Sequence, residues 1–251
     1  MPAGSKRRTL ILIRIFKYEC RRLLWNKFFF GFFLVTLFYG WQILTNVTIL
    51  GVSRTAPFSP WSFGDYLCRM IPLLWIGSLF FLTFFHSARA RRAAVLTNTA
   101  PAHPGKYAFA RCAAAAAGTG LLMLAALAEA AVFYGGYFGW HNWKTLAQPA
   151  FISLAPPLIF ALGSGWCLGK IKGWLLYIWM LVPFVCMALP LPEKLGIWNG
   201  SFFSEYPKTL GTLDPEFSLP AATAVFQGVI LALGILLIVR GVAGKEQKRD
   251  R

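Results

Sequence analysis

One carboxylic acid in this sequence lies deep inside an apolar segment. Glu129 stands between Leu127 and Phe133, and its neighbours are almost all hydrophobic. An ionised carboxylate in hydrocarbon is costly unless it is paired or faces water, so Glu129 is a candidate site on a substrate path, for a cationic group or a proton. The other interpretation is a structural hydrogen bond to a Tyr, a Trp or a backbone group, and the sequence leaves both open.

The remaining polar groups do not form a catalytic or metal-binding pattern. Asp65 and Arg69 have the i, i+4 spacing of an ion pair on a helix, and we expect them to form one at the end of an apolar helix. His86, His103 and His141 occur apart from any cluster of carboxylates. The sequence therefore predicts neither a metal site nor an enzyme active site.

Composition indicates lipid as the main solvent of the chain. Its 251 residues are 57% hydrophobic and only 14% charged, whereas about a quarter of the residues in a soluble domain are charged. The formal net charge is +16. Because the basic residues occur between long apolar runs, they indicate a membrane surface as the partner and not nucleic acid.

Six segments are predicted to cross the membrane, which takes about 20 apolar residues each. The fold class is therefore an all-α integral membrane protein, in which the six spans occupy residues 28–240. The fifth segment is short and interrupted by Pro183. The predicted spans are 28–50, 66–86, 108–136, 149–169, 174–190 and 219–240.

The distribution of basic residues predicts the orientation of these spans. Most of the 25 lysines and arginines fall in residues 1–27, in the loop after the second span, in the turn at 170–172 and in the tail 241–251. Since Lys and Arg remain on the cytoplasmic side, both termini are expected in the cytoplasm. The apolar outer segment 191–218 is expected to dip into the outer leaflet as short re-entrant helices, with its backbone shielded by protein.

Residues 9–26 have the pattern of an amphipathic helix that lies at the membrane surface. Basic and apolar side chains fall on opposite sides at 100° per residue. The basic side contains Arg14, Lys17, Arg21 and Arg22, and the apolar side contains Leu12, Ile13, Phe16, Leu23 and Leu24. We expect membrane lipid to be the partner of this helix.

Two stretches resemble the permeases of ABC-2 type transporters. Residues 16–27 read FKYECRRLLWNK and resemble the aromatic-Glu-x-Arg-Arg-Leu pattern of the family's elbow helix, here with Glu19, Arg21 and Arg22. Residues 88–111 resemble the first cytoplasmic loop, which in the family docks on the ATP-binding subunit. The matching residues there are Arg91, Arg92, Leu96, Thr99, Pro101, Lys106 and Tyr107.

The resemblance implies a permease subunit of an ATP-driven exporter in a cell membrane, typically the bacterial cytoplasmic membrane. It implies a separate ATP-binding subunit and a second permease, identical or related, with the substrate route between the two. The nearest match to a phosphate-binding loop, at 164–171, lacks its first Gly and its final Ser or Thr. ATP and Mg²⁺ are therefore expected in the partner subunit, and this chain is expected to hold no cofactor and to be no enzyme.

Two alternatives to an exporter subunit remain open. One is an ion-coupled secondary transporter that uses Glu129 as its proton site, and the other is a membrane scaffold that transports nothing. Pro156 and Pro157 have two interpretations as well. They can kink a helix that borders the substrate path, or they can serve tight helix packing beside the glycines of 163–169.

Overall fold

The computed structural model describes residues 3–87, 104–189 and 195–243, and these residues form helices and connecting turns without a strand. A 3₁₀ turn, Thr48–Leu50, follows the second helix. In chain order the helices are α1 Ala3–Leu24, α2 Lys27–Asn46, α3 Pro60–His86, α4 Pro104–Phe138, α5 Trp143–Ile171, α6 Leu175–Trp179, α7 Val182–Ala188, α8 Gly196–Asn199, α9 Ser201–Thr209 and α10 Ala221–Ala243.

Five of these helices are long and apolar enough to cross a membrane, namely α2, α3, α4, α5 and α10. They correspond to five of the six predicted spans. The starts of α3 and α5 differ most from the prediction, since these helices begin at Pro60 and Trp143 and not at residues 66 and 149. The cause at α3 is local: Ser59 caps the first turn by accepting a hydrogen bond from the Ser62 N–H, and proline suits the first helical position.

The fifth predicted span, 174–190, is not one continuous helix. It consists of α6 and α7, which are separated at Met180 and Leu181. Pro183 lies in the first turn of α7 and has no N–H to donate, which explains why a new helix begins there. Leu175–Ala188 is an apolar stretch shorter than the five long helices. The structure thus has five long candidate spans and a broken helix pair.

The long helices run in two opposite directions around α3. The Phe28 and Phe80 rings are 6.2 Å apart, and Gly40 lies beside Tyr66, so α2 and α3 are antiparallel. Gly169 lies against His86, and Cys68 against Ser153, so α3 and α5 are parallel. Contacts of the same kind show that α4 is parallel to α2 and that α10 is parallel to α5.

One end of the bundle therefore collects the starts of α2 and α4 and the last turns of α3, α5 and α10. We call it the basic end, because Lys27, Arg111, Lys170 and Arg240 all occur there. Most of α3 is buried among the other helices. In contrast, α2 and α10 expose large apolar side chains such as Phe38, which suits helices whose outer faces contact lipid.

The segment before α10 reaches the middle of the bundle. Phe203 of α9 packs on Gly64, and the Trp198 ring of α8 lies 5.5 Å from the ring of Trp75. Trp75 is about 22 Å along α3 from Pro60, at 1.5 Å per residue. These short helices therefore fill a space alongside α3. The expected re-entrant segment, 191–218, includes α8 and α9, and its depth in a membrane stays a prediction.

Candidate functional site

A buried carboxylate joins the amphipathic helix α1 to the start of α4. The Glu19 side chain is fully buried. The Tyr107 hydroxyl donates a hydrogen bond of 2.8 Å to its Oε1 atom, and the Arg111 Nε donates one of 3.2 Å to the same atom. Arg111 Nη2 also donates to the Tyr107 hydroxyl, at 3.1 Å. A single carboxylate oxygen thus accepts from two side chains of α4.

Further contacts complete this group, which we call the Glu19 network: Glu19, Arg22, Tyr107 and Arg111. The Arg111 guanidinium lies over the Tyr107 ring, 4.1 Å from its centroid, and 5.8 Å from the ring centroid of Phe85 on α3. Arg22 Nη1 is 3.7 Å from Glu19 Oε2. The arrangement compensates a buried negative charge with one buried and one exposed guanidinium, so α1, α3 and α4 meet at one charged point.

Packing next to the network fixes the end of α1. Gly118 leaves room for Leu23 of α1 and Phe81 of α3, since an added Cβ would lie 2.8 Å from the Leu23 side chain. The break between α1 and α2 is two residues long, and the Asn26 side chain accepts a hydrogen bond of 3.2 Å from the Phe28 N–H. Burial, and secondarily Glu19, raises the pKa of the Cys20 thiol.

The residues expected to couple to an ATP-binding subunit are described only in part. Glu19 and Tyr107, one from each of the two stretches that carry the resemblance, meet in the Glu19 network, while Arg21 and Arg22 are exposed on α1. For Lys106 only the backbone, in α4, is described. The expected docking residues Arg91, Arg92, Leu96, Thr99 and Pro101 lie outside the described residues.

Glu129 lies where α2, α3 and α4 meet, in the half of the bundle away from the basic end. Its carboxylate fills the space that Gly40 leaves open, because a Cβ on Gly40 would overlap Oε2 and lie 3.0 Å from the Tyr66 hydroxyl. That hydroxyl donates a hydrogen bond of 3.1 Å to the Ala126 carbonyl. Within the described residues, neither Glu129 Oε2 nor the buried Tyr134 hydroxyl has a hydrogen-bond partner.

Asp65 and Arg69 form the ion pair that their spacing predicts. Arg69 Nε donates to Asp65 Oδ2 at 2.7 Å, and the Asp65 side chain is buried. Because α3 begins at Pro60, the pair lies more than a turn inside the helix and not at its end. Only Asp65 is buried, whereas the Arg69 side chain is 40% exposed.

Pro156 and Pro157 are buried inside α5, which continues through both of them. Each proline removes one helical N–H, so the carbonyls four residues earlier, of Ile152 and Ser153, lose their helical donors. Farther along α5, Gly163 packs on the Gly234 backbone of α10, and Lys170 donates a hydrogen bond to the Gly241 carbonyl.

The sequence alone predicts no site role for Arg111 or Tyr66, and none for Gln227, which lies on α10 outside these sites. Gln227 is 3% exposed, and neither of its amide atoms has a hydrogen-bond partner among the described residues. A signal for Gln227 exists in the sequence, since an amide in the middle of an apolar span is as unusual as an acid.

Comparison with protein-family models, curated proteins and solved structures gives no match to this chain. In the part of the chain that the structure describes, no group of three His, Cys, Asp or Glu side chains is placed to hold a metal ion. The candidate functional site is therefore the Glu19 network, a charged joint between the amphipathic helix α1 and the long apolar helix α4. Such a joint can transmit movement from one helix to the other.

Proposed function

We propose that this chain is the permease subunit of an ABC-2 type ATP-driven exporter. The observation that carries the proposal is the Glu19 network. It ties the amphipathic helix to Tyr107 and Arg111, in the first turns of α4, and residues 88–103 directly precede that helix. Any force applied to this loop acts on α4 first and, through the buried carboxylate, on α1.

In the proposed assembly, the loop that contains Arg91 and Arg92 docks on a separate ATP-binding subunit, which holds ATP and Mg²⁺. A second permease, identical or related, pairs with this chain, and the substrate passes between the two. Both termini are cytoplasmic, and the broken pair α6–α7 returns the chain across the membrane before α10. Five long apolar helices and basic residues gathered at one end support a multi-pass protein of this kind.

Affinity purification in mild detergent, combined with an ATPase assay, tests this function. We expect an ATPase subunit to copurify with the wild-type chain and to be lost from a variant with Arg91→Glu and Arg92→Glu. The matched control is Lys172→Glu with Arg240→Glu, which makes the same change of charge at exposed sites outside the loop. If the wild-type chain brings down no ATPase, the proposal fails.

A proton-coupled secondary transporter is the second candidate, and one observation favours it. The buried Glu129 Oε2 atom has no hydrogen-bond partner among the described residues and lies beside the Tyr66 hydroxyl. A carboxylate in such a place is a candidate proton carrier.

Liposomes loaded with a pH-sensitive dye separate this candidate from the exporter. A secondary transporter gives a proton flux without nucleotide, and Glu129→Gln abolishes the flux. Glu205→Gln, a change at an exposed acid of α9, leaves it unchanged. If the chain forms a stable large complex but shows neither ATPase association nor proton flux, it is a scaffold.

A further inference from the structure

One arginine inside an apolar span has only part of its charge paired. The Arg69 side chain of α3 is 40% exposed, whereas that of its partner Asp65 is 3% exposed. Arg69 Nε donates to Asp65 Oδ2 at 2.7 Å. Within the described residues no hydrogen bond or ion pair involves Nη1 or Nη2 of Arg69. Four N–H donors of the guanidinium are therefore left without an acceptor there.

The level of Arg69 in the bundle is given by its contact with α2. The Tyr39 hydroxyl donates a hydrogen bond of 3.5 Å to the Arg69 carbonyl. Tyr39 is seven residues before Asn46, the last residue of α2, which is about 10 Å along a helix at 1.5 Å per residue. The side chain reaches one turn back toward that end of α2, where it meets Asp65. A guanidinium among apolar spans is costly unless it meets a polar partner or water, so its free donors indicate a binding site.

Arg69 begins a stripe of α3 that the neighbouring helices leave partly open. Spacings of four and three residues place the members on one face of the helix. On one side of this face Gly77 packs on Phe32 of α2, and on the other side Trp75 Nε1 donates to the Trp179 carbonyl of α6 at 3.0 Å. The members, which we call the α3 stripe, are Arg69, Leu73, Ile76, Phe80, Thr83 and Phe84.

The α3 stripe combines a cation at one end with apolar side chains beyond it. Leu73, Ile76 and Phe80 follow Arg69 toward the basic end over about 16 Å of helix. The planar guanidinium matches the two oxygens of a carboxylate or phosphate, and its hydrogen bonds to such an anion are charge-assisted. The chemistry of the stripe is therefore complementary to an amphiphile with an anionic group and an apolar tail.

We propose that Arg69 binds the anionic group, a carboxylate or a phosphate, of an amphiphilic substrate whose apolar tail lies along the α3 stripe. Asp65 is a positioning residue, because it holds the guanidinium through Nε and leaves Nη1 and Nη2 for the ligand. The inference rests on the proposed exporter function, since it names the substrate class of that exporter. Binding of the ligand requires neither ATP nor an ATPase subunit.

Equilibrium binding of radiolabelled dodecyl phosphate to the full chain in mild detergent tests the site. All variants are compared at one detergent concentration, so that partition of the probe into micelles is the same for each. The double variant Asp65→Asn with Arg69→Gln removes both charges together and leaves no buried charge unpaired. We expect it to bind at least about tenfold more weakly, the loss of one charge-assisted hydrogen bond. Lys208→Gln, which removes an exposed cation of α9, should bind like the wild type.

Asp65→Asn by itself should have the opposite effect. Arg69 then keeps its charge without a carboxylate that repels the anion, so dodecyl phosphate should bind about threefold more tightly or better, on the scale of one nearby charge at an exposed site. Damage to the fold would weaken binding, so a gain in affinity identifies the guanidinium as the binding group. Thermal unfolding of each variant shows whether it is folded.

Three outcomes would overturn the proposal. Unchanged affinity in the double variant means that Arg69 does not bind the anion. Weaker binding by a folded Asp65→Asn variant contradicts the positioning role. Inorganic phosphate that competes as well as unlabelled dodecyl phosphate removes the apolar tail from the site.

The binding result is also separable from the exporter proposal. Copurification of an ATPase without binding of dodecyl phosphate leaves the exporter proposal intact and rejects this substrate class. Binding that depends on Arg69 without any ATPase supports the anion site and rejects the exporter proposal alone.

Discussion

Two helix junctions near the basic end are stabilised by different kinds of interaction. The α1–α4 junction is held by the charges of the Glu19 network, whose members are 2.8 to 3.7 Å from their partners. The α5–α10 junction is held by close backbone approach. A Cβ on Gly234 would lie 2.8 Å from the Phe160 backbone nitrogen, and no ion pair joins the described residues of these two helices.

This difference indicates how each junction can transmit movement. The charge-assisted hydrogen bonds to one carboxylate oxygen are short, strong and directional, so α1 follows α4 for as long as these bonds hold. Backbone packed on backbone cannot slide without overlap, because interiors are close-packed and glycine leaves no side chain to rearrange. We infer that α5 and α10 move together because of their shape, and that α1 and α4 move together because of the Glu19 network.

The largest effect is expected when the charge that compensates Glu19 is removed. Arg111→Met leaves a carboxylate that is fully buried, and breaking a buried pair in this way costs about 3–5 kcal/mol. The free energy of unfolding in detergent should fall by that amount. Arg22→Met is the control, since Arg22 is exposed and the loss should stay below about 1 kcal/mol. Equal losses of unfolding free energy in the two variants would mean that Arg111 is not the side chain that compensates the Glu19 charge.

A smaller loss is expected at the α5–α10 junction. Gly234→Ala places a methyl group against the backbone of Ile159 and Phe160, and such overpacking costs about 1–3 kcal/mol. Gly228→Ala makes the same change on the same helix, where nothing lies within 4 Å, and should not destabilise. Equal unfolding free energies for the two variants would show that close backbone packing at Gly234 does not stabilise this junction.

Removing one hydroxyl from the Glu19 network should have a moderate effect. Tyr107→Phe deletes the 2.8 Å hydrogen bond to Glu19, a bond to a charged acceptor that contributes about 1.5–3 kcal/mol. Because Arg111 contacts both groups, the losses in Tyr107→Phe and Arg111→Met should not add in the double variant. Additive losses would show that the two side chains act independently.

The smallest effect concerns the reactivity of Cys20. Its raised pKa lowers the fraction of reactive thiolate at any given pH, so a chain whose single cysteine is Cys20 should react with a maleimide more slowly than an unperturbed cysteine does at the same pH. Glu19→Gln removes the negative charge and should speed labelling at a fixed pH by less than about tenfold, the effect of one pKa unit. Slower labelling in this variant would contradict the sign of the effect.

The apolar helices were predictable because their signal is local. Runs of about 20 apolar residues predict five of the spans, with ends that differ from the structure by a few residues, except that α3 and α5 both begin earlier than predicted. The fifth run, 174–190, also has the right composition, and Pro183, which interrupts it, is visible in the sequence. The long-range contacts beside the break were not predictable, since Trp179 donates to the Ser164 hydroxyl and its carbonyl accepts from Trp75. No window of the sequence contains these contacts.

The Glu19 network was predictable only in part. The resemblance identified Glu19 and Tyr107 as separate members of two motifs, and their meeting is a finding of the structure. Arg111 is 92 positions from Glu19 in the sequence, and periodicity relates residues only within one helix. Glu129 was recognised from its apolar neighbours, whereas the space that Gly40 provides for it belongs to another helix.

The 92 positions between Glu19 and Arg111 also have a consequence for biosynthesis. At about 5–20 residues per second, roughly 5–20 seconds pass between the synthesis of the acid and that of its partner. During this interval the Glu19 carboxylate of α1 lacks Arg111, the side chain that compensates its charge in the folded protein. The nascent chain can therefore complete this joint only after α4 has been made, and a chain truncated before Arg111 should present the unpaired acid to membrane quality-control proteases.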